Sequence, residues 1–289
     1  MTSLRVRIQK IQKEKRLPWH VLERDYLQSW ILSAIAQSEP LQATLTFKGG
    51  TALKKCYFGD YRFSEDLDFS AAPVAPQGNE LELAINAVCK LAESMLEEYA
   101  PINLTVARYR EKEPHPDGQE AFVIRGKFPW QREPLTKILI EITRGEFIIF
   151  PSEQKEILHD YGEIIKEKIQ TYSLEEIILE KLRAILQHTK KLHERHWGRS
   201  RARDYYDLWR ITKTYKDQLN LKHIKEFLHQ KCSLKDVSFI NVESFFADKM
   251  VENTVKTWEQ WLGPLTLDLP NCNVVLRDLK LIIYDMLEH

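Results

Sequence analysis

Residues 47–69 read FKGGTALKKCYFGDYRFSEDLDF, and the reading of this stretch decides the fold. Gly49 and Gly50 stand together ahead of Thr51. A turn without Cβ atoms lets the backbone come close to a phosphate. If residues 52–57 then open a helix, free N–H groups and a positive dipole end face the same anion. Asp66 and Asp68 are two apart, so on a strand both carboxylates leave one face while Leu67 and Phe69 enter the core. Paired carboxylates facing a phosphate-binding turn suit Mg2+, a hard ion that takes few protein oxygens and completes its shell with water and substrate phosphates. Taken singly, each piece also reads as ordinary structure, a turn or a solvated acidic face. Their order within one short stretch makes the pattern specific.

Toward the N-terminus, residues 18–37 have helical periodicity, with Val21, Leu22, Tyr26, Trp30 and Ile31 along one side. Pro18 suits the first turn. Residues 44–47 form a short strand that leads into the glycines. Toward the C-terminus, AAPVAPQG marks a loop. A second amphipathic helix is expected over residues 79–99, and strands over 102–110, 120–128 and 135–143. This order predicts an α+β fold, a mixed α/β sheet with helices on one face. In the last strand Glu141 interrupts an apolar run, on the face shared with Leu139. It reads either as an edge-strand carboxylate facing solvent or as a third metal ligand beside Asp66 and Asp68, as two-metal phosphoryl chemistry would use.

The chain of 289 residues, 43% hydrophobic and 29% charged, has the make-up of an ordinary globular protein with room for one large or two modest domains. No apolar run approaches the ~20 residues of a membrane span. The basic N-terminus lacks the apolar core of a secretory signal. Four cysteines are scattered without a CxxC pair and nine histidines include no HExxH, so neither a zinc site nor a disulfide framework is indicated. A cytoplasmic protein is expected. A net charge of zero argues against a protein that coats nucleic acid over its whole surface. Basic residues are nonetheless concentrated in residues 5–16 and 181–203. Such patches fit a partner with a few phosphates, a nucleotide or one RNA end, or else a solvated helix surface.

Beyond residue 150 strand signals fade, and helices are expected over 173–188, 201–212, 221–230, 242–262 and 273–287. The domain boundary is expected within residues 151–163, dividing a core (1–155) from a helical domain (156–289). Ser173-Leu-Glu-Glu176 is a capping box. On the helix it opens, Lys181 falls inside the apolar stripe of Leu174, Ile177, Ile178, Leu182 and Ile185. On the next helix Asp204 falls between Leu208 and Ile211, with Asp207 on the flank. A buried carboxylate is costly unless paired. A lysine and an aspartate on core-facing stripes indicate either a polar constellation in a cleft or a buried Lys181–Asp204 ion pair tying the helices together.

The opening stretch resembles the hG[G/S]…DhD signature of the nucleotidyltransferase superfamily built on the polymerase-β-like fold. More narrowly, GGTALKK and RFSEDLDFS, followed in order by ILEKLRAIL and RARDYYDLW, resemble the AbiEii/AbiGii toxin family of bacterial abortive-infection and toxin–antitoxin systems. The resemblance covers residues 45–210. It implies a polymerase-β-like nucleotidyltransferase core, a C-terminal helical domain and an active cleft between them. It also implies a Mg2+-dependent enzyme that transfers NMP from an NTP to an RNA acceptor, in toxins of this family the 3′ end of tRNA. Catalytic roles fall to Asp66, Asp68, Lys181 and Asp204, and metal ligation to Asp66, Asp68 and Glu141. Nucleotide contacts fall to Lys48, Gly49, Gly50, Thr51, Arg62, Ser64, Lys181 and Asp207. A cognate antitoxin protein is the implied partner.

The densest basic run, residues 190–203, is where the acceptor is expected, through Arg195, Arg199 and Arg201. Contacts of this kind go to phosphates and carry no sequence preference. Two rival readings share the phosphate turn: a nucleotide-binding partner protein that transfers nothing, and a kinase-like phosphotransferase.

Overall fold

Leu45, Phe47, Leu67 and Phe69 alternate with half-buried Lys48, Asp66 and Asp68, and this alternation builds the central strand pair of a seven-stranded sheet. The computed structural model describes residues 2–110, 118–195 and 200–288. The chain divides into two units, Met1–Glu146 with Ser152–Tyr172, and Phe147–Pro151 with Ser173–His289.

The first unit begins with α1 (Leu4–Lys15), α2 (Trp19–Gln37) and the single turn α3 (Glu39–Gln42). Strand β1 (Leu45–Lys48) leads into α4 (Gly49–Ala52), which continues as a π-helical segment, Leu53–Tyr57. Then follow β2 (Asp66–Ala71), α5 (Gly78–Leu96), β3 (Asn103–Arg108), β4 (Gln119–Lys127) and β5 (Thr136–Arg144). The unit closes with β6 (Glu153–Glu156) and β7 (Lys168–Thr171). Sheet order is β3-β4-β5-β2-β1-β7-β6. β1 and β2 are antiparallel, whereas β2 with β5 and β1 with β7 are parallel. The apolar face, with Phe47 and Phe69 rings 5.2 Å apart at its centre, packs under α2 and α5.

Two features depart from the sequence reading. Strands do not end at residue 150: β6 and β7 extend the sheet, and β7 lies beside β1 with Thr171 opposite Phe47. Residues 152–172 therefore belong with the sheet, and the division falls at Tyr172 rather than at residue 155. Second, α2 is buried on nearly every side and not along one stripe, because Glu23, Asp25, Gln28, Ser29 and Ser33 are buried with its apolar residues. The basic N-terminal run is a helix with Arg5, Lys10 and Lys13 exposed, in line with its reading as a solvated helix surface; it buries Leu4 and Ile8, and Arg7 pairs with Glu163.

The second unit is helical: α6 (Leu174–Arg195), α7 (Ala202–Tyr215), α8 (Ile224–Ser233), α9 (Asp248–Leu262) and α10 (Cys272–Glu288). The single helix expected over 242–262 is broken into a 3-10 turn, Val242–Phe245, and α9. Half of the expected capping box forms: the Glu176 N–H donates to Ser173 Oγ at 3.3 Å. The Glu176 carboxylate turns elsewhere, accepting from the N–H groups of Ile149 and Phe150 at 3.0 Å each. Those bonds tie residues 147–151 to this unit. Among the described residues no helix is long and apolar enough to cross a membrane.

Candidate active site

Strand register gathers the first group of site residues. Lys48 of β1, Asp68 of β2 and Glu141 of β5 lie directly opposite one another, so their side chains share the sheet face away from α2 and α5. Asp66 stands on the same face one step along β2, opposite Leu139. All four charged residues are half-buried.

The glycines are demanded by what sits on them. Gly49 has φ +81°, and a Cβ there would lie 2.5 Å from Asp68 Oδ2. A Cβ on Gly50 would lie 2.6 Å from Arg62 Nη2 and 3.3 Å from Ser64 Oγ. The aspartate-bearing strand and the glycine turn are thus one packed object, with a guanidinium and a hydroxyl against the second glycine. Thr51 is fully buried, and its hydroxyl donates to the Asp66 carbonyl, so it fixes the turn to β2. Arg62 is also buried, donates to the Phe63 carbonyl at 3.3 Å and lies over the Tyr61 ring. Lys48 Nζ lies 3.9 Å from Glu146 Oε1 and 5.9 Å from the Tyr172 ring centroid.

Helix α2 holds this arrangement from below. Gln28 Nε2 donates to the carbonyls of Ser64 and Glu65 at 3.3 and 3.1 Å. Arg24 reaches the Lys137 carbonyl at 3.1 Å and Glu65 Oε1 at 2.8 Å. Buried Lys55, on the π-helical segment, lies 2.8 Å from Asp25 Oδ1 and donates to Ser29 Oγ at 2.9 Å. Burial pushes the Asp25 carboxyl up, but the ammonium groups of Lys55 and Lys54 more than reverse this, and it titrates below the usual range. Sequence reasoning missed this pair. Its signal was two adjacent lysines in a helix whose neighbours are all apolar.

A divalent cation fits the donor chemistry here. Asp66, Asp68 and Glu141 offer hard carboxylate oxygens on one face beside the turn. Among the described residues no three carboxylate, imidazole or thiol groups converge closely enough to hold a metal by themselves. Glu141 Oε1 instead accepts from Gln119 Nε2 at 3.0 Å. An ion that draws most of its shell from substrate phosphates and water needs no such cage.

The second unit carries its own charged cluster. Lys181 is 8% exposed, and its Nζ lies 3.1 Å from Asp204 Oδ1 and 2.6 Å from Asp207 Oδ2. Arg201 Nη1 donates to Asp204 Oδ2 at 3.1 Å. Burial raises the Asp204 carboxyl, and the Lys181 and Arg201 charges outweigh it, so it titrates below the usual range. The Lys181–Asp204 ion pair, one of the two readings of the sequence, is formed, and Asp207, expected only on the flank of the apolar stripe, joins it as a second counter-ion between α6 and α7. Of the expected acceptor residues, Arg201 is half-buried on Asp204, Arg199 lies outside the described residues, and so does the side chain of Arg195.

A family model described as "Nucleotidyl transferase AbiEii toxin, Type IV TA system" matches residues 30–279. No curated protein matches the chain by sequence. Among solved structures the chain is similar to MenT4, a nucleotidyltransferase toxin of Mycobacterium tuberculosis H37Rv, with a TM-score of 0.61 and 19% identity over 93% of this chain and 83% of that one. At that identity the likeness is one of fold. The family match spans most of the sequence, including both strand aspartates and the Lys181 cluster, and the chain belongs to the AbiEii family of nucleotidyltransferase toxins of type IV toxin–antitoxin systems.

Proposed function

We propose that this toxin transfers a nucleoside monophosphate from an NTP to the 3′ hydroxyl of an RNA, the acceptor end of tRNA, in a Mg2+-dependent reaction in the cytoplasm. The observation that carries the proposal is the contact between the Asp68 carboxylate and Gly49. It joins an acidic strand face to a turn whose backbone is bare enough to meet a triphosphate. Asp66 and Asp68 would hold the metal, and Glu141 adds negative charge beside them. Bound Mg2+ would supply charge neutralisation for the triphosphate.

The chain's own groups do the rest. Gly49 and Gly50 present backbone without Cβ atoms, and Thr51 keeps that backbone fixed. Arg62 and Ser64, packed on Gly50, offer donors to phosphate oxygens, and Lys48 offsets charge at the edge of the same row. The acceptor hydroxyl attacks the α-phosphorus, a new O–P bond forms, the α–β anhydride bond breaks and pyrophosphate leaves. Donors already in place where this charge develops lower the barrier without reorganising. Transfer also uses Lys181 as a phosphate contact, held by Asp204 and Asp207. Arg195, Arg199 and Arg201 contribute phosphate contacts to the acceptor.

The test is incubation with each of the four NTPs labelled at the α-phosphate, together with total cellular RNA. Label on the tRNA fraction that requires Mg2+ and disappears with a chelator is the expected result. In a parallel incubation with γ-labelled NTPs, label on RNA from the γ-position with none from the α-position makes the protein a phosphotransferase. Nucleotide binding with no label on RNA leaves the non-transferring reading.

A further inference from the structure

The sheet face that carries Asp66 and Asp68 continues outward across β5, β4 and β3. Register divides it into parallel rows: Asp68–Glu141–Ala121, then Asp66–Leu139–Val123–Ala107, then Lys137–Arg125–Thr105. Successive rows are two residues apart along each strand, about 6.7 Å, so the Lys137–Arg125 row stands roughly 13 Å from the Asp68–Glu141 row. A groove of about 330 Å³ lies over this outer part of the face. Of the nine described residues that line it, four are basic and none is acidic. Arg108 is bonded to Glu82 and Glu120. Arg110, Arg125 and Lys137 make no ion pair with any described carboxylate. An aromatic ring sits among them: Tyr109, whose N–H donates to the Ala121 carbonyl at 2.8 Å, has Lys137 Nζ 5.3 Å from its ring centroid. Between the cations and the aspartates, Val123 and Leu139 form a low apolar step.

We propose that this groove holds the single-stranded 3′ end of the RNA acceptor and delivers it along the sheet to the aspartates. The inference rests on the transferase reading above and names where, on the sheet unit, the acceptor lies. The chemistry matches a splayed single strand. Arg125 and Lys137 meet successive phosphates, Tyr109 stacks on a base, and a second base crosses the Val123–Leu139 step toward Asp66. Every base has a π-face and every linkage a phosphate, so the groove tolerates sequence while requiring unpaired nucleotides. A duplex presents its bases to each other and leaves the Tyr109 ring without a partner.

The experiment uses the full chain and a fluorescein-labelled ten-nucleotide single-stranded RNA, with a blunt RNA duplex of the same length as control. Anisotropy titrations run at several salt concentrations, and melting curves check the fold. Arg125→Gln/Lys137→Gln should weaken single-strand binding about tenfold and reduce the salt slope by about 1.4, the loss of two phosphate contacts. Tyr109→Leu should weaken it about tenfold with an unchanged slope, since stacking releases no counterions. Duplex binding and NTP binding by calorimetry should not change. Unchanged single-strand affinity in both variants overturns the proposal, as does an equal loss for the duplex. The transferase reading fails separately. Wild-type protein that labels RNA, with KM for RNA unaltered in the groove variants, sinks only the groove. Groove-dependent RNA binding without any labelling sinks only the reaction.

Discussion

Lys181 Nζ lies 2.6 Å from Asp207 Oδ2, an oxygen on a side chain with no exposed surface. An aspartate so enclosed depends on its cation, because a lone buried carboxylate has no water to solvate it. Lys181→Ala should therefore lower stability by about 3 kcal/mol and abolish transfer as well. Adding Asp207→Ala should recover at least half of the lost stability and none of the activity. Urea unfolding with a labelling assay on the same samples separates the two effects. A Lys181→Ala protein with an unchanged unfolding midpoint would show that the pair supports nothing in the fold.

Gly49 and Gly145 both have positive φ, +81° and +67°, but only Gly49 has an atom in the way of a side chain. Alanine at either position should cost about 1–2 kcal/mol for the left-handed backbone. Gly49→Ala must also push the Asp68 carboxylate aside, and a displacement near 1 Å should reduce transfer about 100-fold. Gly145→Ala should keep normal transfer. Equal activities in the two variants would separate Asp68 from the chemistry.

Asp66→Asn and Asp68→Asn should each abolish transfer while the melting temperature holds or rises. Two carboxylates on one strand face repel each other, and a bound metal would offset that repulsion. Removing one weakens the site and relieves the repulsion. Melting curves with and without Mg2+ provide a second check, since the stabilisation by Mg2+ with NTP should vanish in both variants. Near-normal labelling by either one refutes the metal assignment.

Acid should find a specific weakness in the second unit. Glu180 lies between Arg183 and Lys231; burial pushes its carboxyl up, but the two cations bring it down from 4.5 to about 2. A pKa lowered on folding gives stability that is complete above the unfolded value of 4.5 and is lost as pH falls toward about 2. Glu180→Gln should be less stable at neutral pH and should lose less on acidification through that window than the wild type. Urea midpoints measured across the window decide it, and parallel curves for the two proteins contradict the assignment.

The strand–turn–strand centre was legible because a two-residue alternation, two glycines and a DLD triplet all sit within one short stretch. The helices were legible from their stripes. β6 and β7 were not, because EQKE and KIQT are four-residue strands of mainly polar residues. Their conformation is set by pairing, β7 against β1 and β6 against β7, and nothing local announces it. The buried charges were hidden for a related reason. Glu23 looks like a surface residue in sequence, yet its carboxylate is clasped by the Trp130 and Gln131 side chains at 2.6 and 2.9 Å. Those donors are more than a hundred residues away in the chain. Lys181 stood out only because its stripe is otherwise apolar, and sequence left two roles open for it. The structure fills one of them with an ion pair to Asp204 and Asp207.

The parallel pairing of β7 with β1 has a consequence for how the toxin is made. A ribosome releases Gly49 and both aspartates early, yet β1 gains its second neighbour only when Thr171 and Tyr172 have emerged. Until then Lys48 lacks the ring it rests against, and the strand that positions the turn is an open edge. The sheet that carries the candidate site is therefore completed late, after more than half of the chain has been translated.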